Sequence, residues 1–378
     1  MKILFVLTYY RPHWTGLTQY AARLAEGLAI RGHQVEVLCS QHDKKLPLNE
    51  EIGQVKVFRL PFLFKFLRSV IMPNFPLKLW ERVKENEVIV VYLPLQEAIL
   101  VALVCKILRK KLFLVHNGDL VLPEKGGLFN RLIEKIYYFT TSSSICLSDG
   151  IVVQTEDYSK NSKLLLKYKE KWRIILPLYE ISEITTKEVA DFLRNHKLEN
   201  KNLIGFSGRL VEEKGVDYLL QAIPLVTKKL PNSHFVFAGE PKIKYERFWE
   251  KIQPLINQNK EKITLLGVLK DPKEMFSFYK SLAVYVQPSR TDCFPSSLVE
   301  ALLSETPCVC TNIPGARWSV SQTGMGEVVK PKNPEALVEG IIKVLKNREK
   351  YLVNFPKVKK IFDYQKTLGN YERLFEKG

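Results

Sequence analysis

Short apolar runs without alternation recur along the chain, and most lead into a stretch with helical spacing. Lys2–Leu7 (KILFVL) is apolar and rich in branched side chains, the pattern of a strand buried on both faces of a parallel sheet. Beyond an aromatic loop carrying Tyr9, Tyr10, His13 and Trp14, the residues Leu17, Ala21, Leu24, Ala25 and Leu28 recur at helical spacing up to Arg31. Gly32 stops this helix and Val35–Leu38 is the next strand. The result is a βαβ unit with an expected right-handed crossover. Val55–Leu60, Val88–Tyr92, Leu112–Val115, Gly150–Val153 and Ile174–Leu176 continue the strand series, with helical patterns at Leu95–Leu108 and Leu128–Phe139. Alternation of this kind predicts a doubly wound α/β sheet, in which ligands bind at the carboxyl ends of the strands. His116, directly after KLFLV, falls at such an end, where a structural and a functional role are equally open.

Residues 177–200 read as a polar linker containing a helix that ends near His196. A second series begins at Asn202, with strands at Leu203–Phe206, Phe235–Ala238, Ile263–Leu266, Val284–Gln287 and Val309–Thr311. Helical spacing marks Val216–Thr227, Pro334–Leu345 and Tyr364–Phe375. At 378 residues the chain is long for one core, so two Rossmann-like domains facing across a cleft are expected.

Composition narrows the partners. The hydrophobic fraction of 46% and charged fraction of 26% suit a water-soluble globular protein. Neither end reads as a secretory signal, and no run approaches the roughly 20 apolar residues that span a bilayer. The six cysteines are scattered without metal-ligand spacing, Cys308 and Cys310 sharing one face of a strand, so reduced thiols and a cytoplasmic address are expected. A net charge of +17, spread over both halves, suits a nucleic acid, an acidic membrane surface or a phosphate-rich ligand; a lysine-rich heat-stable surface would look the same. Spread charge without a recognition motif argues against nucleic acid. Pro61–Trp80 breaks the βα pattern: Phe62, Phe64, Phe66 and Leu67 beside Lys65 and Arg68 suit an anionic lipid surface, with packing over the first domain as the alternative. The basic run Lys106–Lys111 lies nearby in sequence.

Two stretches carry the chemistry. SGRLVEEKG (Ser207–Gly215) joins a strand to a helix, Gly208 and Gly215 freeing the backbone while Arg209 and Lys214 bring two cations to the helix start. That combination suits a diphosphate, unless Arg209 pairs instead with Glu212 or Glu213. The Walker A pattern is absent, which favours a nucleoside diphosphate over a triphosphate. In TDCFPSSLVEALLSETPCVC (Thr291–Cys310), Asp292 and Glu300 stand eight positions apart around the start of a helix. Ser296 or Ser297 is the expected N-cap and Pro307 marks the far end. A strand, a polar turn and a helix N-terminus form an anion site, or else an ordinary βα turn with a solvated acid.

With GRLVEEKGVDYLLQA (208–222), LLGVLKDPKEMFSFYKSLAVYVQPS (265–289), TDCFPSSLVEALLSETPCVCTNIPG (291–315) and the weaker VHNGD (115–119), the chain resembles the retaining nucleotide-sugar glycosyltransferases of family 4. The resemblance runs over nearly the whole length. It implies a GT-B fold, with an acceptor domain at 1–178, a donor domain at 179–361, and a last helix at about 362–378 packing back on the first. It implies a metal-independent transfer of a hexose from a nucleoside diphosphate sugar to a glycan or lipid-linked acceptor. By position, Arg209 and Lys214 would bind the diphosphate and Glu300 the ribose. The backbone of Ser297 and Leu298 would meet the phosphate, Val268 the base, and Gly16 would admit the phosphates closely. His116 and Asp292 would touch the transferred sugar. Three departures stand out: Asp292 is one methylene shorter than the family's Glu, Leu17 follows Gly16 where a second glycine is common, and Glu240 replaces a glycine-rich turn. The first leaves a second reading, a degenerate GT-B protein that binds nucleotide sugar or glycan without turnover.

Overall fold

The computed structural model describes residues 1–13, 15–66, 69–120, 127–243 and 246–377. The chain divides into two compact units, Met1–Tyr179 with Asp363–Gly378, and Glu180–Phe362. Each is built on its own sheet with helices on both faces, the pair of Rossmann-like α/β sheets of the GT-B fold.

In the first unit the elements are β1 (Lys2–Val6), α1 (Gly16–Ile30), β2 (Gln34–Ser40), β3 (Asn49–Ile52), β4 (Val55–Leu60), β5 (Lys65–Phe66), β6 (Ser69–Val70), α2 (Phe75–Glu85), β7 (Val88–Leu93), α3 (Ala98–Leu108), β8 (Lys111–His116), α4 (Gly127–Leu147), β9 (Gly150–Val153), α5 (Glu156–Asn161) and β10 (Trp172–Ile174). The sheet order is β10-β9-β8-β7-β1-β2-β4-β3, parallel except for β3. Its inner strands are buried on both faces, which is why KILFV and VIVVYL show no alternation. The last strand sits two residues earlier than the apolar run suggests. Trp172 is buried with its indole N–H donating to Leu165, and Pro177 has no amide to continue the ladder.

The segment Pro61–Trp80 folds as the β5–β6 hairpin and the start of α2. Val70, Met72, Phe75 and Leu79 enter the core, while Leu63, Phe64, Ile71, Leu77 and Trp80 stay exposed. Leu67 and Arg68, two of the six residues of the expected lipid contact, lie outside the described residues, as does Trp14.

The second unit runs α6 (Thr186–Asn195), β11 (Asn202–Ser207), α7 (Val216–Lys229), β12 (Ser233–Ala238), α8 (Phe248–Gln258), β13 (Ile263–Gly267), α9 (Pro272–Ser281), β14 (Val284–Gln287), α10 (Ser296–Leu303), β15 (Cys308–Thr311), α11 (Pro314–Thr323), β16 (Gly326–Val329), α12 (Pro334–Lys346), α13 (Arg348–Leu352) and α14 (Phe355–Ile361). Its sheet is wholly parallel, in the order β13-β12-β11-β14-β15-β16. The polar stretch read as a linker carries its expected helix as α6, with His196 as the C-cap. Thr185 and Glu188 form a reciprocal capping box that nucleates α6. All six cysteines are free thiols; Cys39, Cys105, Cys308 and Cys310 are buried.

The last helix, α15 (Tyr364–Lys377), returns to the first unit. Phe375 is buried with its ring 5.4 Å from that of Phe113 in β8, and Lys111 Nζ donates to the carbonyl oxygens of Phe375 and Glu376. Arg31 at the end of α1 pairs with Glu372. Replacing Phe375 with Ala should therefore destabilise the first unit by about 3–5 kcal/mol, the usual result of emptying a buried aromatic site. Denaturant unfolding followed by a probe in that unit checks this; an unmoved transition would detach α15 from its core.

Candidate functional site

The order of the second sheet reverses between β11 and β14, so the chain leaves these neighbouring strands in opposite directions. In open α/β sheets the crevice at the carboxyl ends of such a pair is where ligands bind. Both sequence stretches singled out above start there: Ser207–Gly215 follows β11 and the loop 288–295 follows β14. Gly215 holds the two loops together. Its φ is +64°, and a Cβ would overlap the Pro288 carbonyl oxygen.

Arg290 provides the second clamp, and motif spacing alone does not reveal it. Its backbone N–H donates to Glu213 O at 2.8 Å, its guanidinium bonds Asp217 at 2.6 Å and also reaches the Glu212 carbonyl oxygen. The guanidinium lies over the Tyr218 ring, 4.6 Å from its centroid. Its partners belong to a different βα unit, so only the folded chain brings them into reach.

Within this frame each cation faces a carboxylate of the same chain. Lys214 Nζ stands 2.5 Å from Asp292 Oδ2, and both side chains are largely buried. Arg209 stands 3.0 Å from Glu213 and is more open. The local pairing of Arg209 weighed from sequence is thus present, with Glu213 as partner. Two cations beside a helix N-terminus repel one another, and the carboxylates compensate that charge.

Helix α10 begins differently from expectation. Its N-cap is Pro295, and no side chain caps the helix; Ser296 and Ser297 occupy the first two helical positions. The Ser297 hydroxyl donates instead to Gln287 Oε1 at 3.1 Å. Proline fixes the entry angle of the chain, so the serines fall one and two positions too late to act as caps. The first-turn amides of Ser296, Ser297 and Leu298 consequently have no intrahelical acceptor, and the dipole favours an anion there. Leu298 is fully buried, which fixes the orientation of its amide. Gly315 packs beneath this loop, where a Cβ would overlap the Asp292 carbonyl oxygen.

A buried polar chain joins the two acids. Glu300 Oε2 accepts from Tyr279 at 3.1 Å, and the Tyr279 hydroxyl lies 2.9 Å from Ser207 Oγ. Ser207 Oγ lies 3.3 Å from the Tyr285 hydroxyl, which donates to Gln287 Oε1 at 2.8 Å. Gln287 Nε2 donates to Ser289 Oγ at 2.7 Å, and Ser289 to Asp292 Oδ2 at 3.3 Å. Burial and the adjacent Glu300 carboxylate push the Tyr279 phenol well above its ordinary range, so it remains a donor to Glu300. Val268, at the carboxyl end of β13, is an exposed apolar residue.

Gly16 and His116 belong to the first unit. Gly16 is the exposed first residue of α1, whose N-cap Thr15 forms a capping box with Thr18; the amides of Gly16 and Leu17 have no intrahelical acceptor. His116 ends β8, fully buried, its Nε2 3.3 Å from Asp119 Oδ1 but not aligned as a hydrogen bond. Neither ring nitrogen has a hydrogen-bond partner among the described residues. Burial acts to raise the Asp119 pKa, but His116 together with the Ser162 and Tyr158 hydroxyls outweighs it and holds the carboxyl below its usual range. The VHNGD motif gives Asp119 no role of its own; its position three residues after His116 is the signal that marks it. Among the described residues no cluster of three or more His, Cys, Asp or Glu side chains is placed to hold a metal ion.

The family described as Glycosyltransferase Family 4 matches residues 14–177, and that described as Glycosyl transferases group 1 matches residues 190–357. The chain is a GT-B-fold glycosyltransferase related to family 4. The uncharacterized glycosyltransferase MJ1607 of Methanocaldococcus jannaschii is 25% identical to it, the match covering 94% of this chain and 92% of that one. The capsular polysaccharide biosynthesis glycosyltransferase CapM of Staphylococcus aureus is 26% identical over 57% of this chain and 55% of CapM. Among solved structures, Anabaena HepE in complex with UDP and glucose superposes with a TM-score of 0.79 at 14% identity, covering 100% of this chain and 99% of that one.

The polar chain generates a test of how firmly the site of this glycosyltransferase is held. Tyr279→Phe removes a hydroxyl on which buried Ser207 and half-buried Glu300 both rely, and should cost the second unit about 1–3 kcal/mol in denaturant unfolding. An unchanged transition would mean that both groups are satisfied without it.

Proposed function

We propose that the second unit binds a nucleoside diphosphate sugar and that the chain transfers its hexose, with retention and without a metal ion, to a glycan or lipid-linked acceptor. One observation carries this reading: Arg209, Lys214 and the uncapped N-terminus of α10 converge where the order of the second sheet reverses. Two cations and a set of helix amides suit two linked phosphates. The diphosphate would take the place that Glu213 and Asp292 now hold against the cations. Asp292, released from Lys214, would turn to hydroxyls of the sugar. We assign Glu300 to the ribose, the main chain at Val268 to the base, and the Ser297 and Leu298 amides to phosphate oxygens. Gly16 would allow close approach of the phosphates, and His116, beside Asp119, would bond the transferred sugar.

The chemistry follows from charge. The bond from the anomeric carbon to the β-phosphate oxygen breaks, and the acceptor oxygen bonds to that carbon on the same face. The acceptor's proton passes to the departing phosphate oxygen, which leaves as nucleoside diphosphate. Cations and dipoles in place before reaction stabilise the charge that develops on this leaving group. The paired-carboxylate double displacement of glycosidases is not needed. The UDP and glucose held by Anabaena HepE support a uridine nucleotide, and the capsular role in CapM's name supports a glycan acceptor. A cytoplasmic address with peripheral contact to an anionic membrane through Pro61–Trp80 completes the reading.

Lys214→Ala and Glu300→Ala should each weaken nucleoside diphosphate binding tenfold or more, about 1.4 kcal/mol or above, in calorimetry. Undiminished affinity in both variants would overturn the donor site. The anchoring of the short Asp292 side chain by Lys214 and Ser289 also favours a second reading, a binder without turnover. Donor hydrolysis separates the two: turnover by the wild type, or restored in Asp292→Glu, supports the enzyme. Tight nucleotide binding with no turnover in either form supports the binder.

A further inference from the structure

The last residue of β14 is a glutamine that solvent does not reach. Gln287 is fully buried, paired with Cys310 of β15 across the sheet. A primary amide in such a place costs free energy unless its oxygen and its nitrogen are both bonded. Both are. Gln287 Oε1 accepts from the Tyr285 hydroxyl at 2.8 Å and from the Ser297 hydroxyl at 3.1 Å, and Nε2 donates to Ser289 Oγ at 2.7 Å. Ser289 is itself fully buried, and its carbonyl oxygen accepts from Thr311 Oγ1 at 2.7 Å, which ties the loop backbone to β15.

The charge on Asp292 sets the direction of these bonds. Paired with Lys214, the Asp292 carboxylate can only accept. The single hydroxyl hydrogen of Ser289 therefore goes to Asp292 Oδ2, 3.3 Å away, and Ser289 Oγ is left as an acceptor toward Gln287. Gln287 must then turn its N–H to Ser289, which leaves its oxygen for Tyr285 and Ser297. Methionine would fill a similar space but could not carry this order. The amide branches to two places. Through Ser289 it reaches the acid assigned to the sugar. Through Ser297, whose hydroxyl does not cap its own helix, it reaches the first turn of α10, whose amides are assigned to phosphate.

We propose that Gln287 is a positioning residue for the transfer, holding Asp292 through Ser289 and the start of α10 through Ser297 so that sugar and diphosphate are met in one fixed register. This rests on the donor reading above. In that reading Lys214 moves from Asp292 to the diphosphate, and the Ser289 hydroxyl is the bond that then keeps the short Asp292 side chain from rotating away. The same amide keeps the first turn of α10 against the end of β14. Recognition of the sugar and of the phosphates is thereby coupled through a side chain that touches neither.

Calorimetry with UDP and UDP-glucose, or with GDP and GDP-mannose if the wild type binds those more tightly, separates the two branches. Ser289→Ala should leave diphosphate affinity within about twofold of the wild type. It should raise the ratio of nucleotide-sugar Kd to diphosphate Kd about fivefold or more, and lower turnover more than it raises KM. Ser297→Ala should weaken both ligands several-fold with that ratio unmoved. Gln287→Met should show both changes, and adding Ser297→Ala to it should cost little more, because the serine acts through the amide. Thermal midpoints of the same variants report the fold. A lowered midpoint with the ratio at its wild-type value would make the network structural only and overturns the proposal. Wild-type midpoints with unmoved ratios in Ser289→Ala and Gln287→Met overturn it equally, while normal diphosphate binding in those variants leaves the donor reading standing. A wild type that binds none of these nucleotides would sink the donor reading first, and this proposal with it.

Discussion

The ion pair between Lys214 and Asp292 is the constraint on which the rest of the second unit's edge depends. A cation brought beside a helix N-terminus is in an unfavourable field, because the free amides there already carry partial positive charge. Asp292 offsets that field, and Glu213 does the same for Arg209. Glu213 sits on the loop that carries both cations and Asp292 on the neighbouring loop, so each cation is poised without being buried alone. In the proposed function an incoming diphosphate would offer the same charges in the same place. Its binding would be an exchange of partners within a frame that already exists, with little reorganisation.

That frame is stiff for identifiable reasons. Gly215 lets one loop touch the backbone of the other, Arg290 ties Glu212, Glu213 and Asp217 together, and Gly315 supports the loop of Asp292 from below. Beneath them the hydroxyls of Tyr279 and Tyr285, with Ser207, Gln287 and Ser289, run as one hydrogen-bonded chain. Buried polar groups of this sort are stabilising only when each is satisfied, and here each named link has a partner on both sides. Glu300 and Asp292, far apart in reach, therefore share a common scaffold while facing different parts of the proposed donor.

The strands were legible because a buried parallel strand writes an unbroken apolar run, as in Lys2–Val6 and Val88–Leu93, and the helices because their apolar positions recur at 3.6. The loops were legible as a candidate site, and the structure brings both to the crevice where the second sheet's order reverses. What sequence did not supply were long-range pairings. Arg290 reads as one more surface arginine until α7 places Asp217 beside it. Tyr279 and Tyr285 read as core aromatics, and nothing in their spacing shows that their hydroxyls meet Ser207. The cap of α10 was misplaced by one or two residues, since Pro295 rather than Ser296 or Ser297 takes the N-cap position. Periodicity located a helix at Leu128–Phe139, but a helical period cannot say whether a stripe faces the sheet or the solvent.

Hydrogen exchange of the backbone amides, with and without nucleoside diphosphate, tests the central claim most directly. If the phosphates sit on the amides of α10 and between Arg209 and Lys214, then bound nucleotide should slow exchange at Ser297, Leu298 and the 208–215 loop. The first unit's α15 should remain unaffected. Tight nucleotide binding that leaves those amides exchanging at the ligand-free rate, with protection elsewhere, would contradict the account.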